Sequence, residues 1–306
     1  MPNLILHHYP MSPFSQKVRS LLGYAQLPWQ SVIVREMPPR PLLLPLAGGY
    51  RKIPVAQDGA DVFCDTRVIA EEIAARCGKP ALVLANNTPA QQAFAARADL
   101  ELFFACLVAG GNLTLGRKVL ASMSLLDIAR FFLDRVRMGR TAKVRVAGPR
   151  AAVPMVRAHL AQMEGMLSRG FLFGDEPVHA DFSAWHSLWF LNDLAESPLP
   201  AAYPRVVDWM ARLRAFGEGD PSPMSSEQAI HVARAATPRA IAAEHRQDAR
   251  VGKTVSIAPA DYGRDPTAGT LAGVTPTRYI LARDTQEAGR VHVHFPQQGY
   301  VLQVMT

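Results

Sequence analysis

Hydrophobic and polar positions divide the 306-residue chain into three stretches that have different periods. Residues 4–77 contain two short apolar runs of strand length, at 4–8 and 29–34. Between them lies one amphipathic segment, in which four apolar residues within 14–22 share a helical face. A strand, a helix and a strand within about thirty residues predict a right-handed crossover and parallel pairing of the two strands.

A β-hairpin and a second helix complete this first stretch. Residues 55–64 form two short apolar runs around Asp58-Gly59, which is a strong hairpin signal. Thr66 then has the character of a helix N-cap. Apolar residues recur at every fourth position up to Cys77, after which glycine and proline end the helix.

The pattern changes twice more along the chain. From about residue 88 to 245, apolar residues recur at a spacing near 3.6 without strand-like runs, which predicts an all-helical unit. After Gly252, five short β-branched or alternating segments are separated by Gly, Pro and Asp turns. They predict a small five-stranded barrel or sheet packed on the helical core. We therefore expect three domains, spanning 1–80, 88–245 and 250–306.

Composition excludes several classes of protein. The net charge of +7 comes mostly from scattered arginines, and the densest basic stretch, 135–150, has no interleaved aromatic residues, so we expect no nucleic-acid partner. No apolar run reaches the roughly eighteen residues of a membrane span, and the N-terminus has the pattern of a strand and not of a signal peptide. Three scattered cysteines fit a reducing compartment, so we expect a cytoplasmic protein without a membrane partner.

Three short segments carry the candidate chemistry. They are 12–15 (SPFS) at the first strand-to-helix turn, 52–54 (KIP) before the hairpin and 65–66 (DT) at the start of the next helix. The inferred strand order brings all three to one edge of the sheet. Because a helix start offers free N–H groups and favours negative charge, the Ser12 hydroxyl is placed to donate a hydrogen bond to a ligand thiolate.

The other two segments suit a small peptide with two carboxylates and an ammonium group. A cis bond before Pro54 would leave the N–H and C=O of Ile53 free to pair with an extended peptide. The amides and hydroxyl at Thr66 can hold a carboxylate. Lys52 can contact another acidic group, and Asp65 can meet the ammonium.

The runs YPMSPFSQKVRSLL, KIPV and CDT together resemble the N-terminal domain of glutathione transferases, with a turn similar to that of the tau, omega and zeta-like classes. Residues 171–185 (FLFGDEPVHADFSAW) are similar to the buried helix entry of that family's helical domain, although Val178 replaces a capping serine or threonine. The resemblance covers about residues 1–220. It implies an α/β thioredoxin-like N-terminal domain and an all-α C-terminal domain, to which the chain adds a small all-β C-terminal extension.

The resemblance also implies roles for the site residues. Ser12 would activate the glutathione thiol as the catalytic residue. The glutathione-binding residues would be Lys52, Ile53, Pro54, Asp65 and Thr66. Of these, Ile53 would pair with the cysteinyl backbone before a cis Pro54, and Asp65 and Thr66 would bind the γ-glutamyl end.

Alternatives remain open at the thiol position. Ser12 is also a good helix cap, Tyr9 or His8 near the same turn is a possible thiol partner in its place, and Ser15 is a possible hydrogen-bond relay. A serine cannot form a mixed disulfide, which disfavours a glutaredoxin-like reductase. His292 and His294 share a strand face but have no third ligand nearby, so we expect no metal.

These observations predict an enzyme that adds the glutathione thiolate to an electrophilic, mostly apolar small molecule. Glutathione is then a substrate, and the helical domain supplies a second pocket from Phe103, Phe104 and Leu107. The resemblance implies a homodimer. The alternative is a non-catalytic transferase-fold binding or scaffold protein that uses the extension for a partner, because a fold does not by itself determine a function.

Overall fold

The computed structural model describes residues 3–122, 124–144 and 146–305. Its N-terminal part contains β1 (Leu4–His8), α1 (Pro13–Tyr24), β2 (Pro28–Ile33), the short α2 (Leu44–Ala47), β3 (Val55–Asp58), β4 (Asp61–Cys64) and α3 (Thr66–Cys77). β1 pairs in parallel with β2 and antiparallel with β3, and β3 pairs antiparallel with β4. The predicted parallel crossover and the predicted hairpin are both confirmed, and they give the thioredoxin-like arrangement.

Local capping defines the starts of α1 and α3. Ser12 caps α1, its Oγ accepting the Ser15 N–H at 3.2 Å, and Pro13 takes the first helical position, where a missing N–H has no cost. The N-cap of α3 is Asp65, with φ +83°, and not Thr66 as predicted. Thr66 is instead the first helical residue, because the Asp65 carboxylate accepts the Arg67 N–H at 3.0 Å.

The helical domain consists of α4 (Pro89–Arg97), α5 (Phe103–Ala109), α6 (Leu113–Ser122), α7 (Leu125–Thr141), α8 (Pro149–Met166), α9 (His179–Trp189) and α10 (Pro204–Ala215). The buried α9 begins without a hydroxyl cap, since Val178 has no side-chain oxygen. Asp181 compensates: its carboxylate accepts the backbone N–H groups of Val178 and Leu172 and the indole N–H of Trp209.

Residues after α10 return to the N-terminal sheet. β5 (Asp220–Pro223) pairs in parallel with β2, and α11 (Ser226–Ala235) packs on Ile5 and Val32 through Ala229. The prediction that residues 88–245 lack strands is wrong at β5. This exposed edge strand carries two prolines and no apolar alternation, so its pattern is that of a loop.

The C-terminal extension contains all five predicted strands: β6 (Thr254–Pro259), β7 (Thr267–Val274), β8 (Arg278–Thr285), β9 (Gly289–Pro296) and β10 (Tyr300–Val304). They form neither a separate barrel nor a layer on the helical core, contrary to the prediction. β9 pairs in parallel with β4, and the result is one ten-stranded sheet in the order β10-β6-β7-β8-β9-β4-β3-β1-β2-β5. The reason is that the outer edge of β4 offers unpaired backbone groups, which β9 satisfies.

Ion pairs hold the extension and the segment before it on α3. The Arg278 guanidinium forms ion pairs with Glu71 and Glu72, and Arg239 forms another with Glu72 at 2.8 Å. Apolar residues of β4 and β9, such as Val62 and Val293, belong to one fully buried core. Among the described residues, none of the helices has the length and apolar character needed to cross a bilayer.

Candidate functional site

The three predicted segments meet at one cavity of about 740 Å³ between the N-terminal and helical domains. Of the predicted site residues, the cavity is lined by Tyr9, Ser12, Lys52, Ile53, Pro54, Asp65 and Thr66. Ser15 is fully buried behind the turn and does not line it. Phe103, Phe104 and Leu107 form part of the opposite, apolar wall, where the sequence places them. Residues 260–262 and 298–299 of the extension form a further wall, which the sequence analysis did not anticipate.

Ser12 lies at the N-terminus of α1 with its hydroxyl at the cavity. Its Oγ accepts the Ser15 N–H, and in the described part of the chain it donates to no other group. The proton of this hydroxyl is therefore available to a ligand. The residue is only 3% exposed, so a hydrogen bond made there is poorly screened by water.

The structure separates the alternatives to Ser12. Tyr9 lines the cavity beside it. His8 does not line the cavity, and its ring nitrogens lie 2.8 Å from Ser31 Oγ and 3.2 Å from an Arg19 guanidinium nitrogen. Burial, together with the nearby Arg19 charge, lowers the pKa of His8 to about 3. This imidazole is therefore neutral, and both of its nitrogens already have partners within the protein.

Ile53 and Pro54 present a free peptide edge to the cavity. The Ile53–Pro54 bond is cis, which confirms the prediction for this bond. Neither the N–H nor the C=O of Ile53 has a hydrogen-bond partner within the described ranges. An extended peptide lying along this edge can therefore make two backbone hydrogen bonds, as one strand does to another.

Thr66 offers a free helix start. Its side chain is 7% exposed and lines the cavity, and neither its hydroxyl nor its backbone N–H has a partner among the residues that the structure describes. Free N–H groups at the start of a helix, together with the helix dipole, favour a bound carboxylate. The geometry thus agrees with binding of the γ-glutamyl end at Thr66, which is the role that the resemblance implies. That role stays a prediction.

Asp65 is already surrounded by donors. Its Oδ1 accepts the backbone N–H and Nε of Arg67, and its Oδ2 accepts an Arg67 guanidinium N–H and the Tyr300 hydroxyl, all at 2.9–3.0 Å. Burial would raise the pKa of this carboxyl, but the charges of Arg67 and Lys52 outweigh it and hold the pKa well below its usual range. Four donors saturate a carboxylate, so an ammonium group can reach Asp65 only if one of them moves.

Lys52 is also paired, and its partner belongs to the extension. Its Nζ donates to Asp261 Oδ1 at 2.7 Å and lies 4.0 Å from the centre of the Tyr262 ring. Tyr262 in turn packs edge-to-face on Phe104, with 5.3 Å between ring centres. Burial lowers the pKa of Lys52, and the Asp261 carboxylate partly opposes that shift.

Two guanidinium groups at the cavity have no carboxylate partner among the residues that the structure describes. Arg40 and Arg135 both donate to the carbonyl of Glu36, at 2.9 and 3.5 Å, and within the described ranges neither forms an ion pair. Burial lowers the pKa of Arg40 to about 10, and the neighbouring Arg135 and Arg51 charges add to this shift. The buried Nε of Arg135 has no hydrogen-bond partner. Two adjacent cations on an apolar wall attract an anion.

A buried ion pair joins the two domains directly behind the Ser12 turn. Lys17, fully buried on α1, donates to both carboxylate oxygens of Asp99 at 2.9 Å and to Ser183 at 2.9 Å. His186 lies 3.1 Å from the same carboxylate. Burial would raise the pKa of Asp99, but Lys17 and His186 outweigh it and lower the pKa. The network fixes the orientation of α1 relative to α9.

Comparison with known proteins agrees with this arrangement. The model of the glutathione S-transferase N-terminal domain matches residues 6–81, and that of the C-terminal domain matches residues 140–212. FtsZ-localized protein A of Caulobacter vibrioides (strain NA1000 / CB15N) is 31% identical over 201 residues, which are 63% of this chain and 79% of that protein. The chain belongs to the glutathione S-transferase family. It is a member with an extended sheet.

A solved structure of a GST-like protein from Pseudomonas syringae is similar over nearly the whole length. It is 33% identical with a TM-score of 0.77, and the match covers 98% of this chain and 100% of that one. At this coverage the match extends over most of the C-terminal extension of this glutathione S-transferase family member, as well as over its two transferase domains.

Sequence reasoning missed the contribution of the extension to the cavity. Asp261 and Tyr300 carry no motif, and they lie more than 200 positions from Lys52 and Asp65, to which they bond. Tyr262 carries no motif either. Arg40 and Arg135 were also missed. Arg40 lies within the proline-rich stretch between β2 and β3, but a single arginine in a loop does not predict a binding site.

Proposed function

We propose that this protein is a glutathione transferase that adds the glutathione thiolate to an electrophilic, mostly apolar small molecule. The observation that carries the proposal is that three unsatisfied groups face one cavity: the Ser12 hydroxyl, the Ile53 peptide edge and the Thr66 helix start. The proposal assigns the thiol to Ser12, the cysteinyl backbone to Ile53 and the γ-glutamyl carboxylate to Thr66.

The chemistry requires little of the protein beyond stabilising an anion. A free thiol with a pKa near 8.5 is only a few per cent ionised at pH 7, and a shift of about two units makes it mostly thiolate. Such a shift needs about 2.7 kcal/mol, which one charge-assisted hydrogen bond from Ser12 and the start of α1 together supply. The thiol proton leaves to solvent, sulfur attacks carbon to form the C–S bond, and the leaving group departs with its electron pair.

In this proposal, the cavity offers a separate contact for each end of glutathione and for the electrophile. The γ-glutamyl carboxylate is placed at Thr66 and the cysteinyl backbone at Ile53. Arg40 and Arg135 are the cations without carboxylate partners that the glycyl carboxylate can meet. The apolar wall around Phe103 and Phe104 then receives the electrophile, because aromatic side chains favour flat apolar molecules.

A second candidate function is a binding or scaffold role without turnover. Its support is the relative named FtsZ-localized protein A, whose name describes a location at another protein and not a reaction. In this case the cavity would bind glutathione as a ligand, and the extension would contact a partner protein. In both proposals we expect the protein to be a homodimer in the cytoplasm.

One experiment separates the two candidates. Retention of the purified protein on immobilised glutathione tests the site, and conjugation of an aromatic halide then tests turnover. We expect both for the wild type, and loss of turnover with retained binding for Ser12→Ala. Binding without turnover in the wild type would favour the scaffold role, and the absence of binding would refute the glutathione site.

A further inference from the structure

The loop between β6 and β7, residues 260–266, places a carboxylate inside the candidate glutathione site. Asp261 from this loop lies 2.7 Å from Lys52 Nζ, and its side chain is 31% exposed against 16% for that of Lys52. The loop is held in place at a second point, because the Asp261 carbonyl accepts the backbone N–H of Lys143 at 2.8 Å. The Asp261 carboxylate is therefore a built part of the cavity wall.

We infer that Asp261 is a specificity-determining residue, which occupies Lys52 and so weakens the binding of a ligand carboxylate at that position. This inference rests on the proposed glutathione site. A carboxylate that approaches Lys52 meets an ammonium group already hydrogen-bonded to one carboxylate, and it also meets the negative charge of Asp261. Like charges brought together at a partly buried site are strongly unfavourable.

Tyr262 strengthens the effect by covering the same ammonium group. Its ring centre lies 4.0 Å from Lys52 Nζ, where the aromatic face interacts favourably with the cation. Lys52 thus has an anion on one side and an aromatic face on another. Asp65 and Arg67 also act on Lys52, but their charges have opposite signs and they form their own ion pair.

The inference has a consequence for the ligand. With Lys52 occupied, the glycyl carboxylate depends on Arg40 and Arg135 alone, so the site discriminates less between glutathione and a ligand with that carboxylate masked than it would with Lys52 free. Removing the Asp261 charge frees Lys52 and adds a third cation for the same group. Selectivity for the free carboxylate should then increase.

The test compares Asp261→Asn with wild type by calorimetric titration of glutathione and of glutathione monoethyl ester, in which the glycyl carboxylate is esterified. We expect Asp261→Asn to bind glutathione about tenfold more tightly, with little change for the ester. Asp265→Asn is the matched control. It removes a carboxylate from the same loop, but Asp265 has a half-exposed side chain and does not line the cavity, and its partner Arg51, which does line it, keeps its ion pair with Asp134. This control should leave both affinities at the wild-type values.

A second variant tests whether the gain in glutathione affinity depends on Lys52. Adding Lys52→Met to Asp261→Asn should abolish the gain, because the gain is assigned to the freed ammonium group. Unchanged or weaker glutathione binding by Asp261→Asn, or an equal gain for the ester, would overturn the inference while leaving the glutathione site standing. If neither wild type nor Asp261→Asn binds glutathione, the proposed function and the inference both fail.

Discussion

The Tyr300 hydroxyl, near the C-terminus, donates a hydrogen bond of 3.0 Å to Asp65 Oδ2 at the start of α3. This bond joins the last strand of the extension to the residue that the family resemblance assigns to the γ-glutamyl end of glutathione. Burial, with the Asp65 charge adding to it, raises the pKa of Tyr300 well above its usual value, so the phenol remains a donor. The extension and the binding site are thus physically continuous.

The first prediction concerns Ser12. Ser12→Ala should raise the pKa of the bound glutathione thiol by about one to two units, because a charge-assisted hydrogen bond contributes about 1.5–3 kcal/mol. Turnover at a pH below the thiol pKa should fall about ten- to hundredfold, with little change in glutathione affinity. Ultraviolet titration of the bound thiolate in wild type and variant measures the shift. An unchanged thiol pKa would direct attention to Tyr9 beside it.

The second prediction gives Thr66 the opposite kinetic profile. Thr66→Ala removes a hydroxyl at the helix start but leaves the thiol position untouched, so glutathione affinity should fall about five- to tenfold while turnover at saturation is kept. Thr66→Ser retains the hydroxyl and is the matched control. Steady-state kinetics over a glutathione series separates KM from kcat. A fall in kcat alone would contradict the assignment of Thr66 to the carboxylate.

The elements of this fold and the strand pairing within its N-terminal part were largely predictable, but the attachment of the extension was not. The strand-helix-strand unit, the hairpin and the five C-terminal strands follow from apolar periodicity and turn residues, which are local properties. The pairing of β9 with β4 depends on which sheet edge is free, and no local pattern encodes it. The site shows the same division between local and long-range information. Ser12 and Thr66 lie in short motifs, whereas Lys52 and Asp65 bond to Asp261 and Tyr300, which are distant in the sequence.

The third prediction concerns the extension itself. Deleting residues 250–306 should produce a poorly soluble protein. Such a chain exposes the edge of β4, removes core residues such as Val293 and Phe295, and leaves Glu71 without Arg278. Expression with and without the deletion, followed by size-exclusion chromatography, checks this. A soluble and glutathione-binding 1–249 fragment would show that the extension is dispensable for folding.

The fourth prediction concerns the buried pair behind the Ser12 turn. Lys17→Met leaves the Asp99 charge buried with fewer donors, and breaking such a pair costs about 3–5 kcal/mol of unfolding free energy. The matched control is Arg97→Met, which breaks an ion pair with Glu101 between two half-exposed side chains and should cost less than about 1 kcal/mol. Urea denaturation of both variants provides the comparison. Equal losses in the two would contradict a special role for Lys17.

The last prediction is a loss of stability in mild acid. Burial lowers the pKa of His7 and of His159 from 6.5 to about 4, so both remain neutral in the folded protein while the unfolded chain protonates them below pH 6.5. Because the unfolded state then binds more protons, the free energy of unfolding should fall as the pH decreases from 6.5 to 4. Each histidine contributes up to about 1.4 kcal/mol per pH unit.

His159 allows this acid sensitivity to be traced to one residue. The ring of His159 packs on Phe94 with 5.4 Å between ring centres, so His159→Phe keeps an aromatic group there and removes the titration. Denaturation measured between pH 4.5 and pH 7 covers about two units of the window set by the shifted histidines. The free energy of unfolding should decline less steeply with decreasing pH for this variant than for wild type. His231→Gln, at an exposed position, should follow wild type. Parallel curves for wild type and His159→Phe would mean that other groups cause the acid sensitivity.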